Sequence, residues 1–417
     1  MTSHPLTADP VSLSLSKTPP KSRYLIIVLG LLTAFGPLSI DMYLPAFKSI
    51  SSALNSSQAQ VQTTLAVFFM GMALGQMIYG PLSDHLGRKI PLYFGLSLYI
   101  LSSLICTFAP NIETLIAARL LQALGGCAGV VISRAVVRDF FPPQEMAKVM
   151  SLLMLVMGLA PVLAPFFGGL MVESLPLEWG WRAIFAVFAG LGVLCLGLIY
   201  WALPESLPTE KRATGFSLGT TLSVYFELLK DRPFLLPALS GSMGLGVLFA
   251  YITGSAALFL NYLGLSPMHY SWIFAINAVG IIGGAQVNRR LLSRYSSQEV
   301  LSRSFLALSF SSTLFLIAVS LSQSVWLIAP ALWSVLACLG FIMPNSTAVA
   351  MSSQSKHAGS ASAILGMLQY AIGACSAGLL TFVMGKMNGH PLSIALILVL
   401  GSVMGWFFDR QSSTRPA

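Results

Sequence analysis

Charge is what this sequence most lacks: Asp, Glu, Lys and Arg make up 9% of its 417 residues, against roughly a quarter in an ordinary soluble domain. With a mean hydropathy of +0.79, the chain cannot have water as its main solvent. The charge present is mostly positive, a formal +9. Lys and Arg nevertheless sit in short tracts between apolar runs and not along one basic face, so a nucleic-acid partner is excluded. Paired cysteines are missing too. Cys106, Cys127, Cys195, Cys338 and Cys375 all fall in apolar runs without CxxC spacing, so neither a disulfide framework nor a zinc site is indicated. The histidines, His4, His85, His269, His357 and His390, are scattered, and no metal site is expected from them. There is no G-x-x-x-x-G-K-[ST] loop to cradle ATP phosphates, and no convergence of catalytic groups that would mark an enzyme. Residues 1–24 are rich in Ser, Thr and Pro but have no small-residue cleavage site, so a cytoplasmic disordered tail is expected there.

What the chain has in abundance is long apolar runs. A membrane-spanning helix needs about 20 such residues. Runs of that kind lie near 25–47, 60–82, 90–108, 112–136, 147–171 and 182–203, and again near 233–263, 268–288, 304–322, 325–350, 358–384 and 391–408. The expected fold is an all-α membrane protein of twelve transmembrane helices in two six-helix, pseudo-symmetric halves, 25–203 and 233–408. A cytoplasmic linker (204–232) joins them, and a tail (409–417) follows. Placing both termini on one side leaves only Lys48, Arg182 and Lys386 on the other, with Arg119 inside a span. That asymmetry puts both termini in the cytoplasm. Trp179, Trp181, Trp272, Trp326 and Trp406 near span ends read as interface anchors. Repeated halves are how many secondary transporters alternate access.

Small residues let helices approach closely in lipid. Gly71, Gly75 and Gly80 in the second span, and Gly359, Gly366 and Gly373 in the eleventh, form such stripes, either as static packing or as a surface sliding between the halves. Pro161 and Pro165, followed by Gly168 and Gly169, can bend the fifth span.

The loop after the second span reads Gly80-Pro-Leu-Ser-Asp84-His-Leu-Gly87-Arg88-Lys89. The two glycines permit a tight turn. Asp84 can pair with the basic residues or face a helix amino terminus. This segment resembles the signature of the major facilitator superfamily. Arg119-Leu-Leu-Gln122-Ala-Leu-Gly125-Gly126 is similar to the Arg-x-x-Gln-Gly-x-Gly pattern of its drug exporters, with Ala123 replacing the first glycine. Ala160-Pro-Val-Leu-Ala164-Pro165-Phe-Phe-Gly168-Gly169 is similar to the family's antiporter motif, with alanine at both leading glycines. Gly36-Pro-Leu-Ser-Ile-Asp41-Met-Tyr43-Leu-Pro45 and Trp181-Arg-Ala-Ile-Phe185 look like the Bcr/CflA group of bacterial drug-resistance exporters.

That resemblance implies a proton-coupled antiporter of the bacterial inner membrane. It would export small lipophilic, drug-like molecules, powered by the proton gradient without ATP or cofactor. Asp41 and Arg119 are the two charges expected inside the bilayer, and none is expected within the spans of the second half. A charge at that depth costs roughly 3 to more than 10 kcal/mol and is expected to have a task. Burial and a nearby cation act on a carboxyl group in opposite senses, so Asp41 is the candidate proton carrier. Arg119 would tune it, hold polar groups in the cavity or brace the fourth span. Tyr43, Phe68, Gln122, Tyr251, Asn277, Asn345, Gln369 and Tyr370 are candidates for the substrate cavity, and Gln286 is a further polar group near a span. Gly80, Asp84, Gly87, Arg88 and Lys89 are candidates for the gate. Two rival functions share these features: a nutrient or metabolite symporter, and a non-transporting membrane sensor.

Overall fold

A computed structural model describes residues 22–141, 143–209, 212, 218–354 and 358–413. Most of the expected amino-terminal tail, parts of the linker and the last four residues lie outside these ranges. Among the described residues the regular structure is helical throughout. The first half runs α1 (Ser22–Asp41), a short 3-10 turn (Leu44–Ala46), α2 (Phe47–Ala53), α3 (Gln58–Leu86), α4 (Lys89–Thr107), α5 (Ile112–Phe140), α6 (Pro143–Ser174) and α7 (Leu177–Ala202). The linker contains a helix of its own, α8 (Leu218–Lys230). The second half runs α9 (Arg232–Ala256), extended by a π-helical turn (Ala257–Tyr262), then α10 (Pro267–Leu291), α11 (Ser297–Leu321), α12 (Val325–Ser352), α13 (Ala358–Lys386) and α14 (Leu392–Ser413). Among the described residues eleven segments are long and apolar enough to cross a membrane, with α1 and α2 counted as one. The 32-residue α6 fills the twelfth place. The chain is a multi-pass membrane protein.

Local chemistry sets the helix ends. Ser57 and Gln60 form a reciprocal capping box at the start of α3, Ser296 and Glu299 do the same for α11, and Asn111 caps α5 through the Thr114 amide. Within the first half, α3 packs on α5 and α4 on α5 and α7; in the second, α13 and α14 pack on α9 and α11 on α12. Two seams join the halves, α3 against α13 and α6 against α10.

Several sequence expectations change here. The last span extends past residue 408 to Ser413, which brings Asp409 into α14. Asp409 is fully buried and accepts a hydrogen bond from Gln298 Nε2 at 2.9 Å, so the second half is not free of acid. Hydropathy marks where apolar residues stop, and the helix continues beyond that point. Trp181 is not an interface anchor: it is fully buried, with its ring under the Arg182 guanidinium and edge-on to Phe185, whereas Trp179, Trp272 and Trp326 are exposed. The glycine stripes divide between roles. Gly71 and Gly75 pack on Ala123 and Cys127 of α5, inside one half, whereas Gly366 abuts Gln76 across the α3/α13 seam. Cys375 is exposed, unlike the buried Cys106, Cys127 and Cys195. Helix α6 remains continuous through Pro161 and Pro165.

Candidate functional site

Asp41 is the last residue of α1. The chain breaks there, passes Met42 and Tyr43, and re-enters helix through the 3-10 turn containing Pro45. Gly168 of α6 makes this break possible, because a Cβ at that position would stand 1.7 Å from the Met42 carbonyl oxygen. Asp41 is 3% exposed, and among the described residues its Oδ1 has no hydrogen-bond partner. Among the described residues its carboxylate makes no ion pair. It lies within electrostatic reach of Tyr251, Tyr270 and Tyr370, all from the second half. Asn277 Nδ2 donates to Tyr251 Oη at 3.0 Å, Tyr251 stacks on Phe274, and Tyr270 Oη shares a 2.8 Å bond with Ser255 Oγ. Tyr370 packs on Phe249. Asp41, Tyr251, Asn277 and Tyr370, all singled out from the sequence, thus belong to one region across the two halves.

Arg119 is not the partner of Asp41. It is fully buried on α5, and its guanidinium donates through Nη1 to Gln122 Oε1 (2.5 Å) and through Nη2 to the Ser39 carbonyl (2.8 Å). It lies 4.2 Å from the centroid of the Phe68 ring, 4.4 Å from that of Tyr43 and 5.7 Å from that of Phe185. Ser39 is in the last turn of α1, where carbonyls lack intrahelical partners and carry the negative end of the helix dipole. Arg119 therefore closes the end of α1, and three aromatic faces stand where a counter-ion would otherwise be needed. Gln122 passes the network on to Ser103 Oγ (2.7 Å), and Ser39 Oγ bonds Tyr99 Oη (2.7 Å). Tyr43, Phe68 and Gln122, expected in a substrate cavity, are the cage and anchor of Arg119. Asn345 is also committed elsewhere, donating to Asn288 Oδ1 and the Phe341 carbonyl. Gln369 is half-buried on α13 beside Tyr370.

The residues expected to form a gate surround a different feature. At the end of the bundle where the chain enters, a cavity of about 430 Å³ opens between α3 and α5 of one half and the start of α13 of the other. Gly80, Asp84 and Arg88 line it, with Arg134 and Arg138 of α5 and Ser360 of α13. Arg88 is nearly fully buried and donates to Asp84 Oδ1 (2.5 Å), Ser83 Oγ (2.9 Å) and Asp139 Oδ2 (2.8 Å). Glu205, just beyond α7, accepts from the backbone amides of Arg88 (2.8 Å) and Lys89 (3.2 Å), so it caps α4. Gly87 turns this corner at φ +87°, and a Cβ there would stand 2.7 Å from Glu205 Oε2. From the linker, Tyr225 of α8 brings its hydroxyl within 3.5 Å of the Met77 carbonyl while its ring lies buried among Phe234 and Ile364.

Sequence reading missed Asp139 and Glu205, which look like solvated charges at span ends. The available signal was their position on the same membrane face as Arg88. At the opposite end the seams are closed: Asn261 bonds Gln58, Gln62 Nε2 donates to Met384 Sδ (3.1 Å), Ser271 Oγ donates to the Pro165 carbonyl (2.7 Å), and Met268 N donates to Glu173 Oε1 (3.1 Å).

Residues 29–378 match the family model described as Major Facilitator Superfamily. The chain is 37% identical over 350 residues to the uncharacterized MFS-type transporter YdgK of Bacillus subtilis, covering 84% of this chain and 86% of that protein. It is 31% identical over 390 residues to a bicyclomycin resistance protein homolog of Haemophilus influenzae, covering 93% and 96%. Among solved structures, a D-xylose-proton symporter superimposes with a TM-score of 0.74 at 14% identity, over 95% of this chain and all of that one, a likeness of fold alone. The chain belongs to the major facilitator superfamily and is similar there to transporters named for drug resistance.

Proposed function

We propose that this protein is a proton-coupled exporter of small lipophilic molecules in the bacterial inner membrane, with both termini cytoplasmic and Asp41 as the coupling carboxylate. The distribution of Lys and Arg supports that orientation. It makes the cavity beside Asp84 and Arg88 a cytoplasmic mouth and the closed seams periplasmic, which is an inward-facing state.

The observation that carries the reading is the state of Asp41: a buried carboxylate at a helix break, with an unpartnered oxygen, near the tyrosines of the opposite half. A structural carboxylate at this depth would be paired. An unpaired one is available to a proton or to a substrate group. Protonation neutralises it and removes its hold on a cationic or hydrogen-bond-donating substrate, and substrate arrival displaces the proton. Since one site serves both in turn, proton and substrate cross in opposite directions.

In proteoliposomes, adding a substrate such as chloramphenicol should move protons through the wild-type protein, and Asp41→Asn should reduce that movement to background. Normal exchange by Asp41→Asn would remove Asp41 from the coupling. A wild type that moves neither protons nor compound would favour a non-transporting sensor.

A further inference from the structure

The geometry points to a phospholipid site on the α3/α13 seam, at the end of the bundle away from the gate. A groove of about 570 Å³ runs there between Ala59, Thr63 and Ala66 of α3 and Gly378, Thr381 and Gly385 of α13. These residues recur at helical spacing on the two facing surfaces, one from each half. Both threonine hydroxyls are satisfied within their own helices, Thr63 by the Ala59 carbonyl and Thr381 by the Ala377 carbonyl, each at 2.9 Å. The walls therefore present methyls and glycine backbone, a lining that offers water none of the two to four partners it needs and suits hydrocarbon.

The groove lies on the outer surface of a seam between two membrane-spanning helices, where acyl chains are the solvent. At its end stands Lys386, the last residue of α13, exposed, with its ammonium 5.9 Å from the centroid of the exposed Phe382 ring. The occupant is one phospholipid of the leaflet at that end. Its acyl chain lies along the glycines and its phosphate sits at Lys386. Chain and headgroup are thus recognised by different features, and the occupant touches both halves where Gln62 of α3 meets Met384 of α13. Such a lipid favours the state in which this end is closed, because separating α3 from α13 would divide its site.

Gly378 and Gly385 allow a clean test, because among the described residues a Cβ on either meets no atom within 4 Å. Leucine at both positions fills the groove, and glycine is the poorer helix former. Full-length protein is purified and delipidated, then titrated with phosphatidylglycerol and examined by native mass spectrometry. Wild type should retain one lipid that resists further delipidation, and the Gly378→Leu, Gly385→Leu double variant should lose that one. Lys386→Gln should weaken its retention roughly five-fold, and a fatty alcohol of equal chain length should compete correspondingly less well. A phospholipid with a photoreactive acyl chain should label peptides spanning 59–66 and 378–386 in the wild type. Labelling confined to other segments, or equal lipid retention by the filled variant, overturns the site. Equal competition by the fatty alcohol overturns the role of Lys386.

Discussion

At the scale of single residues, the two charges placed in the bilayer have opposite fates, and the difference lies in what the surrounding backbone offers. Asp41 ends a helix, where carbonyls and the negative end of the dipole provide no donor for a carboxylate. Those same features suit a cation, and Arg119 uses them two residues away through the Ser39 carbonyl. Arg119→Ala would leave that carbonyl and Gln122 without their donor and open a void between three rings. A loss of about 3 kcal/mol or more is expected from an orphaned buried acceptor together with a cavity. The check is thermal unfolding in detergent, where Arg119→Ala should melt well below the wild type. Asp41→Asn, which removes no bond seen here, should melt close to it. Equal melting of the two variants would contradict the division of labour between a bracing arginine and an unencumbered carboxylate.

At the scale of elements, the loop between α3 and α4 is held from outside as much as by its own signature. Glu205 arrives from the end of α7 to accept the first amides of α4, and Asp139 arrives from the end of α5 to share Arg88 with Asp84. Glu205→Ala uncaps α4 and removes a carboxylate from a helix amino terminus. The expected loss is about 1–2 kcal/mol, read as a lower unfolding midpoint, together with slower turnover at unchanged substrate affinity. An unchanged midpoint would mean that water replaces the cap. The spans themselves were legible in the sequence, because length and apolarity decide whether a segment crosses a bilayer. So were Asp41, whose cost at depth demands a reason, and the Gly80 to Lys89 loop, whose glycines and charges are local. The destination of Arg119, the pairing of Asn345 with Asn288, and the roles of Asp139 and Glu205 were not. Each depends on how neighbouring helices are rotated about their axes, which hydropathy does not encode. Asp409 was missed for a smaller reason: α14 continues past its apolar run.

At the scale of the whole molecule, the halves are each tightly packed and meet along two seams, so the motion available to them is rocking about those seams. Far from the gate the seams are closed by cross-half bonds, and near it α13 stands away from α3 and α5 across the cavity. Closing that mouth would carry Asp84 toward the first turn of α13, whose residues Gly359 and Ser360 form the opposite wall, and a carboxylate is stabilised at a helix amino terminus. Opening the far end requires α10 to leave α6, where Gly169 allows contact: a Cβ there would stand 2.9 Å from Ser271 Oγ. A side chain at 169 is therefore a wedge acting on one end only. Gly169→Leu should favour the state open at that end, and a bias of about 1.4 kcal/mol shifts the two populations ten-fold. The readout is a cysteine at Ser360, on the cavity wall, in a background without the native cysteines. Its reaction with a membrane-impermeant maleimide supplied from the side of the termini should slow when Gly169→Leu is added. A cysteine at Ser271 should react faster from the other side. If the wedge accelerated Ser271 labelling and left Ser360 unchanged, the two ends would move independently, and rigid-body rocking would be the wrong description of this transporter.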